Sequence, residues 1–198
     1  MDNLGYVKKY LASSLKVKEK LINDEILVNK IKIVSEKIEQ MYKNGNKLLI
    51  AGNGGSAADA QHIAAEFVSR FFYDRPGLPA IALTTDTSML TAIGNDYGFE
   101  NLFSRQVQAQ GSNGDIFIGI STSGNSINII KAVEEAKLSG IFSVVFCGEG
   151  GVLSRKADLA IDVPSNSTPH IQECHILIGH IICGLVEELI FPDEKPNL

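Results

Sequence analysis

A glycine-rich segment and the helix predicted after it carry the residues best suited to chemistry. Residues 52–56 read Gly-Asn-Gly-Gly-Ser, and glycines let the backbone turn sharply and let a ligand approach the main chain. We expect Ser56 to cap the helix, whose free N–H groups would face an anion or a sugar oxygen. His62 and Glu66 stand four residues apart and therefore share one helix face. The segment predicts a small-molecule cradle beside two proton-transfer or metal-binding groups.

A second polar segment, residues 121–126, reads Ser-Thr-Ser-Gly-Asn-Ser between a predicted strand and a predicted helix. Four hydroxyls, a glycine turn and a helix N-terminus form a neutral cradle suited to a phosphate. The segment lacks the lysine of a P-loop, so a nucleoside triphosphate with magnesium is not indicated. A polar turn with a serine cap is the alternative interpretation.

The glycine segment also satisfies the dinucleotide fingerprint G-x-G-x-x-A at residues 52–57. That fingerprint is short, and Asp86, after the second predicted strand, lies beyond the expected spacing of about 20 residues. A dinucleotide site would also leave His62, Glu66 and the serine-rich segment without a role. We therefore favour the small-molecule cradle.

Three polar side chains, Gln172, His175 and His180, interrupt the strongly apolar stretch between residues 171 and 190. A lone histidine in such a stretch is usually a core residue with a hydrogen-bond partner. Several polar groups all need partners, because burying one unpaired costs about 1–3 kcal/mol. The stretch therefore predicts a helix with a polar site along it.

Strands alternate with helices from residue 47 onward, which predicts a parallel sheet covered on both faces. Ligands of such sheets bind at the carboxyl ends of the strands, where the glycine-rich and serine-rich segments both lie. The predicted strands cover residues 47–51, 79–84, 115–121, 143–147 and 159–163. The predicted helices lie near residues 56–72, 87–95, 100–110, 126–139, 151–157 and 169–190.

Residues 3–44 precede this alternation and carry apolar residues at helical spacing, with a predicted cap at Asn23-Asp24. They predict two amphipathic helices, which could fold onto their own sheet but are well suited to packing on another subunit. We expect one domain over residues 1–198, with residues 1–44 as oligomer-packing helices and residues 45–198 as the core.

Composition excludes some classes of function. The net charge of −5 with no basic cluster argues against binding of nucleic acid or an anionic membrane as the main task. No apolar run reaches the length of a membrane span, and the N-terminal sequence lacks a signal-peptide core, so we expect a cytoplasmic protein. Cys147, Cys174 and Cys183 have no CxxC spacing and are expected to be buried thiols.

Several segments resemble the phosphoheptose isomerase branch of the sugar isomerase (SIS) domain proteins. The resemblance runs in order along nearly the whole chain, including the N-terminal helical pair, and its motifs together are highly specific. The chain departs from some members at residues 168–170, where an acidic residue or an arginine can occur. The segments that carry the resemblance are GNGGSAADAQH at 52–62, DRPGLPA at 74–80, ND at 95–96, STSGNS at 121–126 and IQECHILIGH at 171–180.

The resemblance implies a flavodoxin-like three-layer fold with a five-stranded parallel sheet, and a homotetramer with active sites between subunits. It implies an aldose–ketose isomerase that converts sedoheptulose 7-phosphate to D-glycero-D-manno-heptose 7-phosphate. That reaction is the first step toward the ADP- or GDP-heptose precursors of lipopolysaccharide or capsule. Two alternatives need no acid–base pair: a non-catalytic relative that associates with the bacterial replication initiator, and a sugar-phosphate sensor.

The resemblance also implies residue roles. Glu66 and His180 match the acid–base pair. One zinc ion per subunit would be bound by His62, Glu66, Gln172 and His180. The implied substrate-binding residues are Asn53, Gly54, Gly55, Glu66, Asn95, Asp96 and Gln172 for the sugar, and Ser121, Thr122, Ser123 and Ser126 for the phosphate.

The chemistry agrees with these roles. Isomerisation needs a base that moves a proton between adjacent carbons, which suits Glu66, and an acid or metal that stabilises the enediolate oxygen. A zinc-bound carboxylate is, however, a weaker base. Gln172 and His180 are also about 12 Å apart along a straight helix. They can share a metal if they lean toward each other or if the helix begins after Gln172.

Overall fold

The computed structural model describes residues 2–195 of the chain. Its centre is a five-stranded sheet in the order β2-β1-β3-β4-β5, in which every pairing is parallel. This order confirms the predicted flavodoxin-like α/β fold. The strands are β1 (Leu48–Gly52), β2 (Ala80–Ala82), β3 (Ile116–Ser121), β4 (Phe142–Gly148) and β5 (Leu159–Val163).

Residues 2–195 form eight α-helices around the sheet, with short 3₁₀ turns at Phe99–Asn101 and Pro192–Glu194. None of these helices is long and apolar enough to cross a membrane. The helices are α1 (Asn3–Ile22), α2 (Glu25–Lys43), α3 (Gly55–Val68), α4 (Thr87–Tyr97), α5 (Leu102–Gln110), α6 (Ile127–Leu138), α7 (Leu153–Lys156) and α8 (Thr168–Ile190).

The two faces of the sheet pack on different helices. Successive strand residues point to opposite faces, so Ile50 joins the core formed with α2, α3 and α8, whereas Leu49 joins the core formed with α5 and α6. All five residues of β1 are buried, as expected for a strand covered on both sides. The three cysteines are also buried and free, as predicted.

The two N-terminal helices pack differently. The predicted cap is confirmed, because Asn23 ends α1 and the Asp24 side chain accepts from Leu27 N at 3.0 Å. The apolar stripe of α2 packs into its own protomer, which is one of the two arrangements that the sequence left open. The stripe residues Ile31, Val34, Ile38 and Met41 are at most 4% exposed, whereas Ile26 is 74% exposed.

Helix α1 leaves its predicted apolar stripe in solvent. Leu4, Val7, Leu11 and Leu15 are each more than half exposed. Beside this stripe, a groove of about 600 Å³ runs between α1, α2 and α8. An uncovered apolar surface therefore lies on α1 and on the outer side of α8.

Helix α3 ends at Val68, four residues before its predicted end. Arg75 is buried and donates to the carbonyl oxygens of Glu66 at 2.9 Å and of Phe67 at 2.6 Å. It also pairs with Glu187 of α8, with 3.0 Å between Nε and Oε1. The guanidinium thus hydrogen-bonds to carbonyl oxygens that would otherwise accept from N–H groups of a further helical turn. Its ion pair with Glu187 connects the end of α3 to α8.

Candidate active site

Helices α3 and α8 run side by side in the same direction. A Cβ on Gly55, at the start of α3, would lie 2.5 Å from Gln172 Nε2. Two turns further on, a Cβ on Gly179 would lie 2.6 Å from Ile63 Cδ1. Because neither glycine has a side chain, the two helices approach closely enough for their polar side chains to meet.

His62, Glu66 and His180 converge where these helices meet. His62 Nε2 lies 2.9 Å from Glu66 Oε1 and 3.5 Å from His180 Nε2. One ligand atom from each residue lies within 4.8 Å of the other two. The structure therefore brings together three of the four predicted metal-binding residues, two of which are the predicted acid–base pair.

The cluster opens toward an aromatic-walled groove of about 460 Å³. The rings of Phe71 and His180 are 5.5 Å apart between centroids. The groove gives a ligand access to the histidine from the carboxyl-terminal side of α3. It is lined by Phe71, Phe72, His180, Ile181, Gly184, Leu185 and Glu188.

Two imidazole nitrogens and one carboxylate oxygen at this spacing fit a zinc site with an open position. Helix α8 is continuous from Thr168, so it does not begin after Gln172. Gln172 is therefore about 12 Å from His180 along the helix axis, and its amide lies against Gly55. Its role as a fourth ligand stays a prediction.

The glycine-rich loop differs from the prediction at its cap. Helix α3 begins at Gly55 with Gly54 as the N-cap, and Ser56 is buried in the first turn without capping it. The Ser56 N–H donates instead to Asn53 O at 3.0 Å. Within residues 2–195 the N–H groups of Gly54 and Gly55 have no hydrogen-bond partner. They are therefore available to a ligand, as expected of a cradle.

The Asn53 side chain has a partner on another element. Its amide exchanges two hydrogen bonds with the amide of Asn128 on α6, at 2.9 and 2.8 Å. Sequence reasoning gave Asn128 no role, because the partner residue is 75 positions away.

The serine-rich loop joins β3 to α6 with its hydroxyls close together. Ser121 Oγ and Ser126 Oγ are 2.9 Å apart, and Ser126 is the N-cap residue of α6. Thr122 O accepts from Gly148 N at 3.1 Å, which braces the loop against β4. Ser123 is exposed, and its hydroxyl accepts from Asn125 N at 3.2 Å. Hydroxyls at a helix N-terminus form a suitable cradle for a phosphate.

Asn95 and Asp96 lie apart from these groups. They are exposed near the end of α4, on the sheet face opposite α3 and α8. Asn95 Nδ2 donates to Asp96 Oδ1 at 2.7 Å. Within residues 2–195 no hydrogen bond joins either residue to the other predicted site residues. Their role as sugar-binding residues stays a prediction.

Asp59 is a candidate that sequence reasoning left without a role. It lies three residues before His62 on α3, and its buried Oδ2 has no hydrogen-bond partner within residues 2–195. Burial raises the pKa of this half-buried carboxyl to about 6, and the nearby His62 opposes that shift. The sequence feature that could have identified Asp59 is its spacing of three residues to His62 and seven to Glu66, which places all three on one side of the helix.

The structure has the features expected of a sugar isomerase domain protein: a doubly wound parallel sheet, two polar loops at its strand ends, and a cluster of two histidines and a glutamate on the adjoining helices. The family model described as SIS domain matches residues 9–148. The chain belongs to this family.

Relatives over almost the full length of the chain place it in the phosphoheptose isomerase branch of the family. The chain is 64% identical to a phosphoheptose isomerase of Aneurinibacillus thermoaerophilus over 190 residues, covering 96% of each chain. It is 63% identical to phosphoheptose isomerase 2 of Campylobacter jejuni, again covering 96% of each. The solved phosphoheptose isomerase of Francisella tularensis superposes with a TM-score of 0.91 at 38% identity, over 95% of this chain and all of that one. The chain is therefore an isomerase, and the non-catalytic alternative is not favoured.

Proposed function

We propose that this chain interconverts sedoheptulose 7-phosphate and D-glycero-D-manno-heptose 7-phosphate. The observation that carries the proposal is the convergence of Glu66 with His62 and His180, in a chain whose relatives are named phosphoheptose isomerases. A replication-associated binding protein or a sugar-phosphate sensor has no need for such a cluster.

Each residue of the cluster has a distinct task in this proposal. Glu66 takes the proton from one carbon and returns it to the adjacent carbon. Its hydrogen bond to His62 at 2.9 Å holds the carboxylate in place. His180 donates a proton to the carbonyl oxygen, where negative charge develops in the enediolate.

The cluster also supports a proposed metal site. A zinc ion held by His62, Glu66 and His180 would polarise the substrate carbonyl in place of the proton that His180 otherwise donates. Glu66 must also act as the base in this proposal. One of its carboxylate oxygens would therefore accept the proton and the other would bind the metal. Gln172 is either a fourth ligand of the zinc ion or a contact to the substrate sugar in this proposal.

In this proposal the serine-rich loop binds the substrate phosphate. Ser121, Thr122, Ser123 and Ser126 supply hydroxyls, and the N-terminus of α6 supplies the favourable end of a helix dipole. The sugar oxygens lie against the free N–H groups of Gly54 and Gly55.

We further propose a homotetramer whose active sites combine residues of different subunits. Ser56 and Glu66 are about 15 Å apart along α3, and Asn95 and Asp96 lie on the opposite face of the sheet. These separations favour a site assembled from more than one protomer. The exposed stripe on α1 and the groove beside α8 supply apolar surface for the assembly. We also propose that the protein is cytoplasmic, as expected from the sequence.

The decisive experiment is to incubate the purified protein with sedoheptulose 7-phosphate and to identify the product by NMR. Formation of the aldose phosphate, and its loss in the Glu66→Gln variant, would support the proposal. Binding of the sugar phosphate without conversion would favour the sensor, and neither binding nor conversion would favour a protein-binding role.

A further inference from the structure

Asn128 is a buried polar residue on an otherwise apolar helix face. It is 1% exposed, and the other buried residues of α6 are Ile129, Ala132, Val133 and Ala136. An apolar side chain would satisfy packing at such a position. A buried amide needs hydrogen-bond partners, since it has lost its contacts with water.

The partner of Asn128 is the amide of Asn53 in the glycine-rich loop. Asn53 Nδ2 donates to Asn128 Oδ1 at 2.9 Å, and Asn128 Nδ2 donates to Asn53 Oδ1 at 2.8 Å. Each amide has two N–H donors and two acceptor lone pairs. The pair therefore uses one N–H and one lone pair of the Asn53 amide, and the other N–H and the other lone pair remain for a ligand.

The pair also connects two loops that the proposed function assigns to different parts of the substrate. Asn53 directly follows β1, and Asn128 lies two residues after Ser126, the N-cap residue of α6. Strands β1 and β3 are neighbours, with Gly52 in register with Ile120, so the two loops emerge side by side. No other side-chain hydrogen bond within residues 2–195 joins the glycine-rich loop to α6.

We propose that Asn128 is a positioning residue that holds the Asn53 amide in its substrate-binding orientation and fixes the sugar-binding loop relative to the phosphate-binding loop. Swinging Asn53 toward solvent would leave the Asn128 amide buried without a partner. Asn53 is therefore preorganised before the substrate arrives, and its contact with the sugar is made through its outward N–H and lone pair. The inference rests on the proposed function, because it concerns binding of the sugar phosphate.

The test is a double-mutant cycle on Asn53 and Asn128, with sedoheptulose 7-phosphate as substrate. Asn128→Ala and Asn53→Ala should each raise KM about tenfold, the scale of one or two hydrogen bonds, while kcat stays within about twofold. The double variant should have the same KM as Asn53→Ala, because Asn128 acts through Asn53.

The matched control is Asn46→Ala. Asn46 also donates its amide to partners on another element, Asn113 O at 3.0 Å and Asp115 Oδ1 at 3.2 Å, just before β1 begins. This variant should lose stability without a change in KM. Asn128→Leu keeps the branching and number of side-chain heavy atoms among apolar neighbours, so it provides a folded variant if Asn128→Ala unfolds, and its KM should also rise because Asn53 loses both hydrogen bonds.

An unchanged KM in folded Asn128 variants, or KM effects that multiply in the double variant, would overturn the positioning role. A wild-type protein that fails to convert the substrate would instead overturn the proposed function. The two failures are therefore distinguishable.

Discussion

His62 and His180 bring their Nε2 atoms to 3.5 Å although 118 positions separate them in the chain. The contact depends on the parallel packing of α3 and α8, which is tight because Gly179 faces Ile63. Glu66 joins through the helical spacing of four residues to His62. One helix thus supplies the carboxylate and one imidazole, and the second helix supplies the other imidazole.

Glu66→Gln should preserve the fold and substrate binding but lower kcat at least about a hundredfold, because an amide cannot act as a general base. Steady-state kinetics and calorimetric binding of the substrate would measure the two effects separately. Glu36→Gln, at an exposed carboxylate on α2, is the control and should behave as wild type. Turnover near the wild-type rate in Glu66→Gln would reject Glu66 as the base.

Changing both Ser121 and Ser126 to Ala should raise KM strongly while the unfolding transition changes little. Each lost charge-assisted hydrogen bond to the phosphate is worth about 1.5–3 kcal/mol. Ser139→Ala, at the other end of α6, is the control for removal of a serine hydroxyl. If the double variant keeps its KM, the phosphate binds elsewhere, with residues 52–55 as the next candidate.

Chelator treatment should lower activity, and zinc should restore it better than magnesium, because the cluster offers two imidazole nitrogens and a carboxylate oxygen. Elemental analysis should show that His180→Gln loses the metal. His170→Gln, which changes a histidine of the same helix outside the cluster, should retain it. Full activity of protein shown to be metal-free would leave the cluster with proton transfer and sugar binding alone.

Leu11→Glu and Leu15→Glu should weaken the tetramer, because these α1 residues are 63% and 57% exposed in the protomer and contribute to its uncovered apolar surface. Leu138→Glu is the matched control: this residue is 84% exposed on α6, in the other helical layer. Light scattering and activity should be measured on the same samples, and dissociation should coincide with loss of activity. An active monomer at micromolar concentration would contradict both the tetramer and the shared site.

His175 should contribute a loss of stability as the pH decreases from about 6.5 to about 4. Burial lowers the pKa of this histidine to about 4; the Cys147 backbone opposes the shift only in part, and neither ring nitrogen has a partner with hydrogen-bond geometry in residues 2–195. The unfolded chain therefore takes up a proton in this window that the folded chain does not. Asp59, whose pKa is raised to about 6, has the opposite effect as pH falls.

The contribution of His175 can be isolated by comparing wild type with His175→Leu in urea unfolding at several pH values. The wild type should lose more stability than the variant between pH 6.5 and 4, and the difference between them should be constant above pH 7. The same pH dependence in both proteins would show that the buried imidazole is not responsible.

The local sequence determined most of the elements. Apolar runs bounded by glycine and polar residues placed all five strands within about two residues, and Asn23-Asp24 marked the break between α1 and α2, because these signals act between near neighbours in the chain. The pairing of His62 with Glu66 followed from helical spacing alone. Only the resemblance brought in His180 as their partner.

The tertiary structure decided what depends on contacts between distant residues. The end of α3 is set by Arg75, which hydrogen-bonds to the last carbonyls of the helix and pairs with Glu187, 112 positions further along the chain. The contact of Gln172 with Gly55 is set by the packing of α8 against α3. The continuity of α8 from Thr168 separates Gln172 from His180 along the helix. Asn128 became visible as a partner of Asn53 only when the sheet placed two loops side by side. Burial and hydrogen bonding across such distances are set by packing, which no local pattern of residues encodes.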